Sequence, residues 1–252
     1  MWNFVAFPLN AGAAIILLLF RVRLLGRLLG QGVRLLQETV SQLLNGADLC
    51  LRGAGLRITK VLRLHLVILR SGSVPVIPSD ALQQQIETAR QILTQAGITL
   101  KVVGVYEDDR DAPSRVLDVG CDARAYWEDL WTPGRYFETA AHRHAFDTAF
   151  LRLLGLGSPL FAFVVRTMAG CFLGCSLGAA AEYVTLTARA VWAQAPEASD
   201  DASLLAHEIG HALGLLHRRD AANLMWPASW RGAQLTAWQI TVLRGSRHVT
   251  FF

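Results

Sequence analysis

The sequence predicts an α/β (α+β) fold. It comprises a twisted mixed sheet of about five strands, a histidine-bearing helix and a C-terminal helix, preceded by an N-terminal membrane-associated helical segment. Three observations carry this. Residues 58–106 read strand, helix, strand with short links; further apolar runs follow between 160 and 190; and the first 57 residues differ in composition from the rest. At 252 residues the chain has room for one ordinary domain and an appendage. The predicted division is 1–57, hydrophobic and basic, and 58–252, the globular domain.

Phe4 to Phe20 carries no charge. That is at the short end for a membrane-crossing helix, and Pro8 and Asn10 interrupt its first half. Met1-Trp2-Asn3 lacks a basic residue, and Arg21 and Arg23 stand where a small-residue cleavage site belongs. A transmembrane anchor or embedded hairpin therefore fits better than a cleaved signal peptide. Arg21, Arg23, Arg27 and Arg34 then interrupt paired leucines. Arg23, Arg27 and Arg34 fall near one helical face, as in an amphipathic helix on an anionic membrane surface; a helix packed on the domain is the competing reading. The predicted membrane contact is residues 4–45. Residues 1–75 hold nine Lys/Arg against two Asp/Glu, and the remainder fifteen against eighteen. The basic excess thus belongs to the N-terminal part and gives no reason to expect nucleic acid. Arginines follow the apolar run and none precede it, which favours the cytoplasmic side of a membrane for the domain; the outward side is the competing reading.

Ile58 to Leu69 alternates loosely between aliphatic and polar residues, a strand signal. Ser79 is placed to cap a helix in which Leu82, Ile86, Ala89, Leu93 and Ala96 form one apolar stripe, ended by Gly97. Ile98 to Tyr106 is the second strand, parallel to the first through this βαβ unit. Residues 107–120 read as an acidic loop. Glu107, Asp108, Asp109 and Asp111 offer carboxylates for calcium, but their spacing matches no calcium loop, and a solvated loop is expected. Residues 135–154 look helical. Leu160 to Thr167, Leu177 to Ala181 and Tyr183 to Ala190 read as three more strands. Cys171 and Cys175 either close a small disulfide or stay buried as thiols. Ser199-Asp200-Asp201 supplies the cap of the next helix. Leu235 to Leu243 is the C-terminal helix.

His207-Glu208-Ile209-Gly210-His211-Ala212-Leu213-Gly214-Leu215-Leu216-His217 decides the chemistry. On a helix His207 and His211 are one turn apart on one face, so two imidazoles reach one zinc ion. Glu208 is placed to hold water beside it. Gly214 lets the chain leave the helix and return His217 as third ligand. Three nitrogen ligands leave a fourth position open, the mark of a catalytic zinc. Asn223-Leu224-Met225-Trp226-Pro227 follows closely, with Met225 a soft apolar side chain suited to lie beneath the metal.

Together these residues resemble the metzincin clan of zinc metalloproteases, whose extended zinc motif is followed by a methionine turn. The run from His217 through Asp220 to Leu224-Met225-Trp226-Pro227 is similar to the matrixin-like branch. The chain departs from that branch at Arg218, where serine is usual. Pro227 stands where astacin-like members place a metal-binding tyrosine. The resemblance implies a metzincin-like catalytic domain that cleaves proteins or peptides, with one catalytic Zn2+ on His207, His211 and His217, Glu208 as general base and Met225 as apolar floor. It further implies a substrate pocket walled by Trp226, Pro227 and Trp230, and a peptide-binding strand edge at Gly178, Ala179 and Ala180. The competing reading is a non-proteolytic zinc-binding scaffold at a membrane.

Overall fold

The computed structural model describes residues 26, 28–56, 58–121, 133–144, 157–192, 194–195 and 201–251. The apolar run 4–20 lies outside them. Among the described residues no helix is long and apolar enough to cross a membrane.

Helix α1 (residues 28–44) runs past a break at Asn45 into α2 (Gly46–Gly53). Strand β1 (Lys60–Ser71) follows, then a 3-10 turn (Ser79–Leu82), α3 (Gln83–Thr94) and β2 (Ile98–Asp111). Helix α4 (Pro133–His144), β3 (Leu160–Val165), β4 (Gly174–Ser176), β5 (Tyr183–Thr187), α5 (Leu204–Ala212) and α6 (Ala237–Gly245) complete the frame. The expected βαβ unit is present, with Lys60 opposite Ile98 in a parallel pair. The main strands run β2-β1-β3-β5-β4. Four are parallel, and β4 joins β5 antiparallel at the edge. Two dipeptide strands, Val74–Pro75 and Val249–Thr250, add to β1.

The central strands are buried on both faces, which explains their nearly continuous apolar sequence. Leu62, Leu64, Leu66 and Ile68 of β1 face a core built with Ile86 and Leu93 of α3 and Leu205 and Ile209 of α5. Val67, Leu69, Phe161 and Phe163 point the other way, onto Phe137 and Ala140 of α4. Helix α5 is therefore pinned against the sheet, and its polar positions are carried with it.

Several expectations are corrected. The acidic segment is not a loop as far as residue 111, because β2 continues through it. Asp108 is fully buried, accepting a 2.6 Å bond from the Tyr136 hydroxyl and pairing with Arg143 at 3.2 Å. A carboxylate committed in that way is no calcium ligand. Ser79 caps nothing and begins a 3-10 turn. Helix α4 covers the described part of the helix expected at 135–154, and residues 145–154 lie outside the described residues. The strand expected at 177–181 is a turn: Gly178 has φ +64°, which breaks an extended run, and β4 lies three residues earlier. Strand β5 stops at Thr187, where a short helix begins. Cys175 is bonded to Cys121, 54 residues upstream, so neither a Cys171–Cys175 bridge nor a pair of buried thiols forms.

The largest correction concerns the N-terminal helix. The face bearing Arg34 is turned toward the domain, not toward lipid headgroups. Arg34 pairs with Glu138 at 2.8 Å. Glu38 accepts from Ser246 Oγ and the Arg247 amide, both at 3.1 Å, and Gln42 and Asn45 donate to the carbonyls of Val242 and Thr241. Asp48 receives two bonds from the Arg244 guanidinium, at 2.6 and 2.7 Å, with both side chains buried. The leucines point outward. The boundary at residue 57 thus marks a change in composition between two stretches joined by buried polar contacts.

Candidate active site

Helix α5 ends as its sequence requires. Gly214 has φ +97°, the Leu215 amide donates to the Gly210 carbonyl, and the chain reverses to bring His217 back. The Nε2 atoms of His207, His211 and His217 stand 3.0–3.3 Å apart. His207 Nδ1 donates to the Leu224 carbonyl at 2.8 Å and His211 Nδ1 to the Leu215 carbonyl at 2.9 Å. These bonds place the proton on Nδ1 and leave a bare lone pair on each Nε2. Lone pairs converging at that distance repel unless a cation lies among them. Tetrahedral zinc with bonds of about 2.0–2.1 Å sets its nitrogens roughly 3.3–3.4 Å apart, so the donor set fits zinc. Among the described residues this is the one cluster of three metal-ligating side chains.

The electrostatics agree. Burial, and then the Arg231 guanidinium, pull His207 down to about 3; burial pulls His211 down to about 4. Both are therefore neutral and ready to bind metal at physiological pH. Burial pushes the Glu208 carboxyl up to about 8 against the pull of Arg231. A cation beside it favours the carboxylate form. Gly174 makes room for this side chain: a Cβ there would lie 2.6–2.9 Å from the Glu208 carboxyl and Cγ. Nothing in the sequence pointed to Gly174, since its role exists only across the cleft.

The methionine turn is held from two sides. Met225 is fully buried, and its sulfur fills the space over Gly210, which therefore serves the methionine and not a close approach to the sheet. Asn223 Oδ1 accepts from the Met225 amide at 3.0 Å, and the Asn223 and Gln239 side-chain amides exchange bonds of 2.8 and 2.9 Å. Gln239 also closes the capping box of α6 with Thr236. The Leu224 carbonyl that orients His207 is thereby tied to the C-terminal helix. At the other end of α5, Gln85 of α3 accepts from the Leu205 amide at 3.0 Å, and the Asp201 carboxylate accepts from the Ser203 amide at 3.1 Å. These partners satisfy amides that a helix start leaves open.

Residues 162–237 match Matrixin, a peptidase family. Over this segment the chain is matrixin-like. Among solved structures, the chain is similar to metalloproteinase-II from Bacteroides fragilis, at 16% identity and TM-score 0.45, over 76% of this chain and 54% of that one. It is also similar to mirolysin in complex with compound 9, at 11% identity and TM-score 0.48, over 74% of this chain and 91% of that one. The chain spans about half the length of the Bacteroides fragilis protein. No curated protein matches the sequence.

The matrixin-like segment encloses a cleft of about 490 Å³, lined by the three histidines, Glu208, the β4 residues, Leu204, Pro227, Ser229 and Arg231. Of the expected wall, Pro227 is in place. Trp226 and Trp230 instead pack against each other with tilted rings, 5.2 Å between centroids, with Trp230 largely exposed. Ser229 and Arg231 line the cleft in their stead. Gly178 sits against the His211 carbonyl, and among the described residues the strand that ends the sheet beside the cleft is Gly174–Ser176, while residues 178–180 form a 3-10 turn.

Proposed function

We propose that the chain is a zinc-dependent endopeptidase acting on proteins or peptides. The convergence of three Nε2 atoms beside a buried carboxylate carries this reading. Zinc bound by His207, His211 and His217 supplies Lewis acidity, acidifying water and polarising a carbonyl. Glu208 accepts the proton of the attacking water and returns it to the departing amine, a role suited to a carboxylate whose proton affinity is raised. The edge of β4 holds the substrate extended by backbone hydrogen bonds. The test is Glu208→Ala in the full chain. It should keep about one zinc per chain by mass spectrometry and lose casein cleavage by about 10²–10⁴-fold. Cleavage at the wild-type rate would sink the mechanism. A zinc-loaded wild type that cleaves nothing would favour the scaffold reading.

We further propose that the outward face of α1 lies on a lipid bilayer. Leu28, Leu29, Val33, Leu35, Leu36, Val40, Leu43 and Leu44 are 41–76% exposed, and no exposed residue from 28 to 50 is charged. The polar side of this helix is consumed by the domain. A contiguous apolar strip of that kind is an interaction surface. The Cys121–Cys175 disulfide fits an oxidising compartment, and we place the domain on the extracytoplasmic side. Full-length protein should co-sediment with phosphatidylcholine–phosphatidylglycerol vesicles, and Leu36→Gln with Leu43→Gln should weaken it without lowering thermal stability. A stable dimer in detergent-free solution that ignores vesicles would overturn the assignment. Alkaline phosphatase fused after residue 252 should be active; an inactive fusion overturns the side.

A further inference from the structure

The cleft holds a buried cation that the proposed hydrolysis does not use. Arg231 follows the methionine turn, and its side chain is 4% exposed. Its Nη2 pairs with Asp201 at 3.0 Å, and its Nε donates to the Ala228 carbonyl at 3.1 Å. Its Nη1 is buried with no hydrogen-bond partner among the described residues. The residue lines the same cleft as His207, Glu208, His217 and Ser229. Asp201 is fixed elsewhere as well, because its other oxygen accepts from the Ser203 amide and hydroxyl.

A guanidinium edge left without an acceptor in a desolvated wall is costly, and the partner that relieves it most is a carboxylate. The facing charged and titratable groups are Asp201, Glu208 and the three histidines. The histidine Nε2 atoms face one another and Asp201 is engaged. Glu208 acts on Arg231 through space and makes no hydrogen bond to it. An incoming anion therefore meets a donor next to a site that zinc makes more positive.

We propose that Arg231 forms a carboxylate subsite in the cleft, so that the chain selects substrates presenting a carboxylate just beyond the scissile bond. This rests on the proteolytic reading for its biological meaning, but not for its test. Two sources supply that group: an Asp or Glu side chain after the cleaved bond, or the free C-terminus of a short peptide. Leu173, Leu204 and Pro227 line the same cleft and give either source an apolar flank.

The test is calorimetric titration of the full-length, zinc-loaded chain with three product-like dipeptides that cannot be cleaved further as endopeptidase substrates: Glu-Leu amide, Gln-Leu amide and Gln-Leu with a free carboxylate. A charge-assisted bond predicts about tenfold or tighter binding for a carboxylate over its neutral isostere. Preference for Glu-Leu amide over Gln-Leu amide assigns the side chain, and preference for free Gln-Leu over its amide assigns the terminus. Arg231→Gln should erase the preference, and Arg231→Lys, which keeps a cation beside Asp201, should retain part of it at unchanged melting temperature. Equal binding of all three ligands by the wild type overturns the subsite, as does a preference that survives Arg231→Gln. Carboxylate preference without casein cleavage would leave the subsite standing and sink the proteolytic reading; cleavage without preference would do the reverse.

Discussion

Two buried polar clusters among the described residues are built on opposite principles. Where α1 and α2 meet α6, polar groups answer one another: Asp48 grips Arg244 twice, and Lys60 donates to the Arg244 carbonyl at 2.7 Å. In the cleft, polar groups are assembled with their needs unmet: three lone pairs converge, a buried carboxyl is driven toward protonation, and a guanidinium edge lacks an acceptor. The first arrangement serves stability. The second leaves groups unsatisfied, which in the proposed reading metal and substrate would satisfy. Damage to each should accordingly read out differently.

The sharpest contrast comes from the metal ligands. His211→Ala should abolish stoichiometric zinc and bring proteolysis to background, yet leave the metal-free melting temperature nearly unchanged, since it removes one of three mutually repelling lone pairs. Retention of one tightly held zinc per chain would break the comparison. At the other cluster, Asp48→Ala leaves Arg244 buried without its carboxylate and should cost about 3–5 kcal/mol. For a chain of this size that lowers the melting temperature by about 6–20 °C, measured by calorimetry. Activity of the fraction still folded at low temperature should persist. A truncation beginning at residue 58 removes both Asp48 and Glu38 and should be less stable still.

Gly174→Ala tests the cleft without touching a ligand. The added methyl must displace the Glu208 carboxyl, so kcat should fall by about 10–100-fold with zinc content unchanged. An unaffected kcat would show that Glu208 works equally well from a displaced position. The smallest effect concerns pH. His248 is fully buried, donates from Nδ1 to the Ser158 carbonyl at 2.8 Å, and is held down to about 3 by burial and then by Arg247. The folded chain therefore keeps it neutral while the unfolded chain takes up a proton below about 6.5. Its contribution to stability is complete above that pH and is lost as pH falls toward 3. Comparing denaturant melts of wild type and His248→Gln between pH 6 and 5 cancels the zinc histidines. The stability gap should shrink by about 1 kcal/mol, and a constant gap would contradict the assignment.

Much of this was legible in the chain. The β1-α3-β2 unit followed from aliphatic runs bracketing one apolar stripe, and the triad followed from spacing, because helix geometry fixes what i, i+4 and a left-handed glycine do. The misreadings have one cause. The acidic stretch around Asp108 looked solvated because its partners, Tyr136 and Arg143, stand far away in sequence. Cys175 seemed to belong with its near neighbour Cys171, though its partner lies 54 residues back. The basic face of α1 looked membrane-bound because Glu138 and the α6 carbonyls that receive it were not adjacent.

The sequence by itself determined that His207, His211 and His217 can converge with Glu208 beside them, since those relations are local and set by the helix repeat. Only the tertiary structure decided which way α1 faces, that β4 and not residues 178–180 forms the cleft edge, and that Gly174 and Arg231 belong to the site. Those relations join residues distant in the chain, and long-range packing sets them where local periodicity is silent.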